Sequence, residues 1–161
     1  MRASPALVLL VLATQCALAA QNPAVDVDAY RRDVAAATLL RGDRLVSEDE
    51  FIRMSRLPGT VIIDARSRPK YDALHVRGAI NVTFPDFTAD NLAAAVPDKS
   101  TRILIYCNNN FRDAPDPMPS KLPAAALNLA TYTALYTYGY RNVYELQPLL
   151  SVSTTRIDLA R

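Results

Sequence analysis

Ile103-Leu104-Ile105-Tyr106-Cys107-Asn108-Asn109-Asn110-Phe111-Arg112 is the stretch on which the fold and the chemistry of this chain turn. Residues 103–106 present no polar face, the pattern of a strand buried on both sides of a parallel sheet. The apolar run stops at Cys107, and the three asparagines that follow are poor in both helix and strand. Such a strand delivers its last residue to the carboxyl edge of the sheet, where open α/β folds place ligands. Arg112, a permanent cation, stands five residues beyond the cysteine. Asparagine tolerates the left-handed backbone well, so three in succession can turn their amides toward one point and form a nest for negative charge. Together these features predict a Cys107 thiolate nucleophile in an anion-binding cradle. The plainer reading, favoured for any such cysteine taken alone, is a small buried hydrophobe.

Elements of an α/β domain surround this strand. Leu45 and Val46 read as a first strand, and Ser47 with Glu50 three residues later is a capping box that starts a helix carrying Phe51, Ile52 and Leu57 inward. Pro58 and Gly59 turn the chain into Val61, Ile62 and Ile63, a second buried strand that ends at Asp64. Asp64 and Arg66 therefore gather on the sheet edge that carries Cys107, either beside the reaction or as a structural ion pair. Residues 90–95 read as a short helix, and residues 124–138 as a longer one with Leu127, Ala130, Ala134 and Tyr138 on its inner face. The tyrosines at 132, 136, 138 and 140 are expected to pack with their hydroxyls exposed.

The loop and two further stretches resemble one family. Cys107 and Arg112 after the apolar strand are similar to the active-site loop of rhodanese-like sulfurtransferases. Upstream, Asp64-Ala65-Arg66 together with Tyr71, His75 and Gly78-Ala79-Ile80-Asn81 resembles the family's D-x-R…G-A-I-N signature. Downstream, Gly139-Tyr140-Arg141-Asn142-Val143-Tyr144 resembles its terminal motif, so the likeness runs over residues 46–146. It implies a rhodanese-like three-layer α/β fold, a central, mostly parallel sheet flanked by helices, over residues 45–150.

It also implies the roles of individual residues. Cys107 would be catalytic; Asn108, Asn109, Asn110, Phe111 and Arg112 would bind substrate; Asp64 and Arg66 would support the site. No metal or cofactor is implied. The partner would be a small sulfur-containing anion such as thiosulfate, with a thiol, cyanide or a protein as acceptor, and Cys107 would carry the sulfur as a persulfide. Arg112 and converging loop amides would dock the donor and lower the thiol pKa. Related cysteine phosphatases have one more residue between cysteine and arginine, so the loop length favours sulfur over phosphorus. His75, the single histidine, falls on a structural turn of the family pattern.

Three features depart from the pattern. Asn110 replaces the glycine usual at the third loop position. Prolines at 115, 117, 119 and 123 make residues 113–123 a stiff flap where relatives run straight into a helix. Gln147-Pro148-Leu149-Leu150 stands where paired glycines and a tryptophan are usual. These departures leave open a second reading, a non-catalytic binding or redox-sensing module of the cell envelope.

Outside the family pattern, Arg2, the apolar run of residues 6–13 and Ala17-Leu18-Ala19 make residues 1–19 a signal peptide, too short for a membrane span. The expected location is therefore exported, periplasmic or secreted. Cleavage leaves about 140 residues, enough for one domain that buries roughly two thirds of its unfolded surface. Cys16 would leave with the peptide, so Cys107 would have no internal disulfide partner. A net charge of +2 calls for neither nucleic acid nor an anionic membrane. Residues 20–44 read as a leader and an amphipathic helix near residues 30–40, and residues 151–161 as a weakly anchored tail. Asn81-Val82-Thr83 matches a glycosylation acceptor but sits on an expected strand and is discounted.

Overall fold

The computed structural model describes residues 22–161; the expected signal peptide and Cys16 lie outside them. Five helices, α1 (Val27–Gly42), α2 (Glu48–Ser55), α3 (Arg68–Ala73), α4 (Ala89–Ala95) and α5 (Leu127–Thr137), surround a five-stranded parallel sheet. Its strands are β1 (Leu45–Val46), β2 (Thr60–Asp64), β4 (Ile80–Asn81), β5 (Arg102–Tyr106) and β7 (Val143–Leu146), in the order β1-β7-β5-β2-β4. The strand expected at the centre is at the centre: Ile63 pairs with Ile105 on one side of β5, and Ile105 with Glu145 on the other. Two small ladders complete the structure. β3 (His75–Val76) pairs antiparallel with β9 (Leu159–Ala160), and β6 (Phe111–Arg112) pairs parallel with β8 (Leu150–Ser151).

Successive side chains of β5 point to opposite faces, as the pleat requires. Ile103 and Ile105 join Ile63, Leu92, Tyr132, Leu135 and Val143 in the core beneath α1, α4 and α5. Leu104 and Tyr106 join Phe51, Met54, Leu74, Phe111 and Met118 on the other face. The chain is thus a three-layer α/β domain, as expected.

Local signals explain most element boundaries. Ser47 accepts the Glu50 N–H at 3.2 Å and caps α2, but the Glu50 carboxylate turns to Arg53 rather than back to the cap, so only half of the capping box forms. Helix α1 starts earlier than its apolar spacing suggests, because Asp26 caps it by accepting the Ala29 N–H at 2.8 Å, and it ends at Gly42. The inner face of α5 is also corrected. Asn128, Thr131, Tyr132 and Leu135 are its buried residues; of the expected stripe, Leu127 and Ala134 pack part-buried against the core and Ala130 is exposed. Two polar residues, Asn128 and Thr131, lie on the buried face, so apolar spacing alone does not find it.

The C-terminal residues are firmly held, contrary to expectation. Ile157 is buried, the Thr155 hydroxyl donates to Glu48 Oε1 at 2.6 Å, and the Arg156 N–H donates to the same oxygen at 2.7 Å. Tyrosine hydroxyls are likewise used inside: Tyr140 donates to the Val96 carbonyl at 2.8 Å and Tyr138 to that of Phe87 at 2.7 Å. His75 stacks on Tyr71 and hydrogen-bonds its carbonyl at 2.9 Å, a structural placement. The Asn81 amide nitrogen donates to the carbonyls of Asp64 and Arg66 and ties β4 to β2. Among the described residues, no helix is long and apolar enough to cross a membrane.

Candidate active site

Cys107 follows β5 directly, on the face that packs under α5, and is 0% exposed. It is a free thiol. The three asparagines do not form the expected left-handed nest; Asn108–Asn110 make one turn of 3₁₀-helix, and the one positive φ outside glycine among the described residues is at Asp113. The reason lies in where the amides go. The Asn110 N–H donates to the Cys107 carbonyl at 3.1 Å and the Phe111 N–H to the Asn108 carbonyl, which closes the turn. Within the loop only the Asn109 N–H is given to Cys107 Sγ, at 3.3 Å.

The asparagine side chains do other work. Asn110 accepts the Cys107 N–H at 2.9 Å and donates to the Leu146 carbonyl at 2.7 Å, fixing the loop to the end of β7. A glycine could make neither contact. Asn109 exchanges two bonds with Lys121, donating to its carbonyl at 2.9 Å and accepting its N–H at 3.0 Å. Asn108 donates to the Pro119 carbonyl. Two of the three therefore hold the 113–123 flap.

Phe111 is wholly buried, edge-on to Tyr106, and Arg112 on the opposite face of β6 points out. The Arg112 side chain is 64% exposed, and its ionic neighbour is Asp113 at 3.9 Å. Arg112 is thus turned to solvent, where an inward placement over the thiol was the expectation. A pairing of only two residues with β8 fixes the chain as a strand here and sends the arginine outward.

Asp64 and Arg66 form a buried, two-pronged ion pair, with Nη2 to Oδ2 at 2.6 Å and Nε to Oδ1 at 2.9 Å. Tyr106 donates its hydroxyl to the same carboxylate and accepts the Val76 N–H at 2.9 Å. Arg66 also donates to the carbonyls of Leu74 at 2.6 Å and Pro117 at 3.0 Å, so the pair anchors the flap from below. Beside it lies a pocket of about 430 Å³, lined by Arg66, Lys70, Phe84, Asn108, Pro119 and Lys121 among others. The flap thus overhangs a cationic, partly apolar pocket next to the loop.

Burial pushes the Cys107 thiol above its ordinary pKa, the reverse of the expected lowering. The N–H of Asn109 pulls the other way, as do those of Asn128 and Leu127 at the start of α5, while the Glu145 carboxylate raises the thiol further. Helix α5 has no side-chain cap, so its first amides are free to face the sulfur.

Asn128, Glu145 and Arg41 were not singled out from sequence. Glu145 alone breaks the apolar run of β7, a signal that could have found it; Asn128 and Arg41 offered none.

The profile of the Rhodanese-like domain family matches residues 47–147. The chain belongs to that family. Among curated proteins, the Escherichia coli thiosulfate sulfurtransferase PspE is 41% identical over 46 residues, which span 29% of this chain and 43% of the relative. Solved structures with a similar course include a rhodanese with anions from E. coli, 23% identical over 63% of this chain and 98% of that one, with a TM-score of 0.43. A thiosulfate sulfurtransferase from Pseudomonas aeruginosa is 21% identical over 74% of this chain and 21% of that one, with a TM-score of 0.48. The rhodanese-like match begins at the cap of α2, so helix α1 with Arg41 lies outside it.

Proposed function

We propose that this rhodanese-like domain is a sulfurtransferase that works through Cys107. The observation that carries the reading is the cysteine itself. It ends the central strand of the sheet, its Sγ accepts the Asn109 N–H at 3.3 Å, and the uncapped start of α5 faces it. In the first step the thiol loses its proton and attacks the outer sulfur of thiosulfate. That S–S bond breaks, sulfite leaves with the electron pair, and Cys107 keeps the transferred sulfur as a persulfide anion. In the second step an acceptor thiolate attacks that outer sulfur, leaving as its own persulfide and returning the Cys107 thiolate. Both steps place negative charge on sulfur, where the three amides act in the manner of an oxyanion hole. Asn108, Asn109 and Asn110 shape and close the loop, Asp64 and Arg66 support it, and the flap restricts acceptors through the pocket it roofs.

Incubation of the protein with thiosulfate, followed by intact mass, tests this directly. A gain of one sulfur, lost on adding a thiol and absent in Cys107→Ser, is the expected result; a mass unchanged or raised only by oxygen would refute it.

One observation favours a second reading. A thiol fully buried, with its pKa raised by that burial, suits a binding or redox-sensing module better than a nucleophile, and the oxygen-only outcome of the same assay is its signature. For location, export after removal of residues 1–19 is the proposal, and N-terminal sequencing that finds Met1 retained would end it.

A further inference from the structure

Arg41 lies on α1, ahead of the segment that matches the family, yet its guanidinium ends in the network that holds the cysteine. Its Nε and Nη2 each donate to a Glu145 carboxylate oxygen at 2.6 Å. Glu145 Oε1 also accepts from Asn128 Nδ2 at 3.1 Å, and the same nitrogen donates to Asn110 Oδ1 at 2.9 Å. That oxygen takes the Cys107 N–H. Glu145, Asn128 and Asn110 are all buried. Donating both amide protons of Asn128 leaves its Oδ1 buried with no hydrogen-bond partner, so the orientation is set by the two acceptors it serves.

A carboxylate this close to a thiol opposes thiolate formation, and the two-pronged arginine is the group that offsets it. We propose that Arg41 is a positioning residue for Cys107: it neutralises Glu145 and locks the Asn128–Asn110 relay that orients the loop. The proposal rests on the sulfurtransferase reading for its purpose, though not for its test. Other charged or titratable groups around this point are accounted for. Tyr132 of α5 donates its hydroxyl toward the Val143 carbonyl at 3.4 Å, and Arg44 donates to the Tyr144 hydroxyl. Asp64 and Arg66 on the β2 side close on each other, and Lys121 of the flap is exposed.

The test is a pH titration of thiolate ultraviolet absorbance in the full-length chain, with Cys107→Ser subtracted to remove Cys16 and the tyrosines. Arg41→Gln is expected to move the Cys107 titration up by about one pH unit, roughly a tenfold loss of thiolate at neutral pH. Glu145→Gln should move it down, and the double variant should return close to wild type. A pair that merely holds α1 in place would lower stability in both single variants without moving the titration, and that result overturns the proposal. Shifts of the same sign in both single variants overturn it too. Where Arg41→Gln does not fold, the sign of the Glu145→Gln shift decides alone. The titration needs no sulfur donor, so a wild-type chain that fails to load sulfur would sink the sulfurtransferase reading and leave this result standing.

Discussion

Asn109→Ala tests whether the flap controls access to Cys107. The substitution deletes the two bonds that Asn109 exchanges with the Lys121 backbone, at 2.9 and 3.0 Å, and spares the Asn109 N–H that reaches Sγ. Both bonds are exposed, so each contributes about 0.5–1 kcal/mol, toward the low end for a hydrogen bond. Their joint loss, about 1–2 kcal/mol, raises the population of the open flap roughly 5- to 30-fold. The cysteine is 0% exposed, so a reagent must wait for an opening. When closing outpaces chemistry, the modification rate follows the open population.

The assay is alkylation of Cys107 by iodoacetamide at fixed pH, followed by peptide-resolved mass. Acceleration should fall within that range in Asn109→Ala and increase further when Asn108→Ala also removes the contact to the Pro119 carbonyl. The pH profile should keep its shape, because the groups that set the thiol pKa are unchanged. A double variant alkylated at the wild-type rate would falsify the gate, and the route to Cys107 would have to open elsewhere.

Three further outcomes follow from the geometry. Arg112→Ala should leave thiosulfate loading of Cys107 within about twofold, since removing a solvent-exposed charge typically changes energies by less than about 0.5 kcal/mol; a loss of tenfold or more would restore the expected docking role. Ile157→Ala should cost about 2–4 kcal/mol, read as a fall in denaturant midpoint at constant slope, because the residue is buried against the core; a cost near zero would mean the tail only rests on the surface. The Tyr132 hydroxyl is pushed up to about 12 by burial, so its contribution is complete below about pH 10, where the unfolded phenol ionises, and is lost as pH rises toward the folded value. Wild type should therefore lose more stability than Tyr132→Phe between about pH 10 and 12, and equal losses would locate the alkaline transition elsewhere.

The core strand and the cap of α2 were legible because each is a local signal. Four apolar residues ending at Cys107 needed a central parallel strand, and Ser47 needed an orphan amide. The placement of Asp64 and Arg66 was legible for the same reason, since strand ends of one sheet collect at one edge. Arg112 was not. Its direction is set by a two-residue pairing with Leu150 and Ser151, a contact that no spacing near residue 112 announces. In sequence the asparagines show only their backbone tolerance, whereas their side chains bind Leu146, Pro119 and Lys121, partners placed only by the flap and the end of β7. Arg41 lay furthest from reach, since nothing near it in sequence betrays a buried carboxylate on β7.

The flap also bears on how the amides around Cys107 are arranged. Residues 113–123 separate the cysteine loop from α5, and Asp113, at a φ of 67°, turns the chain under the hold of the Ser151 hydroxyl at 2.7 Å. The loop, freed from the helix, closes on itself as a 3₁₀ turn and keeps only the Asn109 amide for sulfur. The helix then begins at Leu127, brought back by tertiary packing, and its uncapped N-terminus supplies the other amides that favour the anion. Stabilisation of a charged sulfur therefore depends on α5 docking rather than on loop geometry alone. In this arrangement Asn128 fastens α5 to both Asn110 and Glu145, and so ties the first amides of the helix to the cysteine loop.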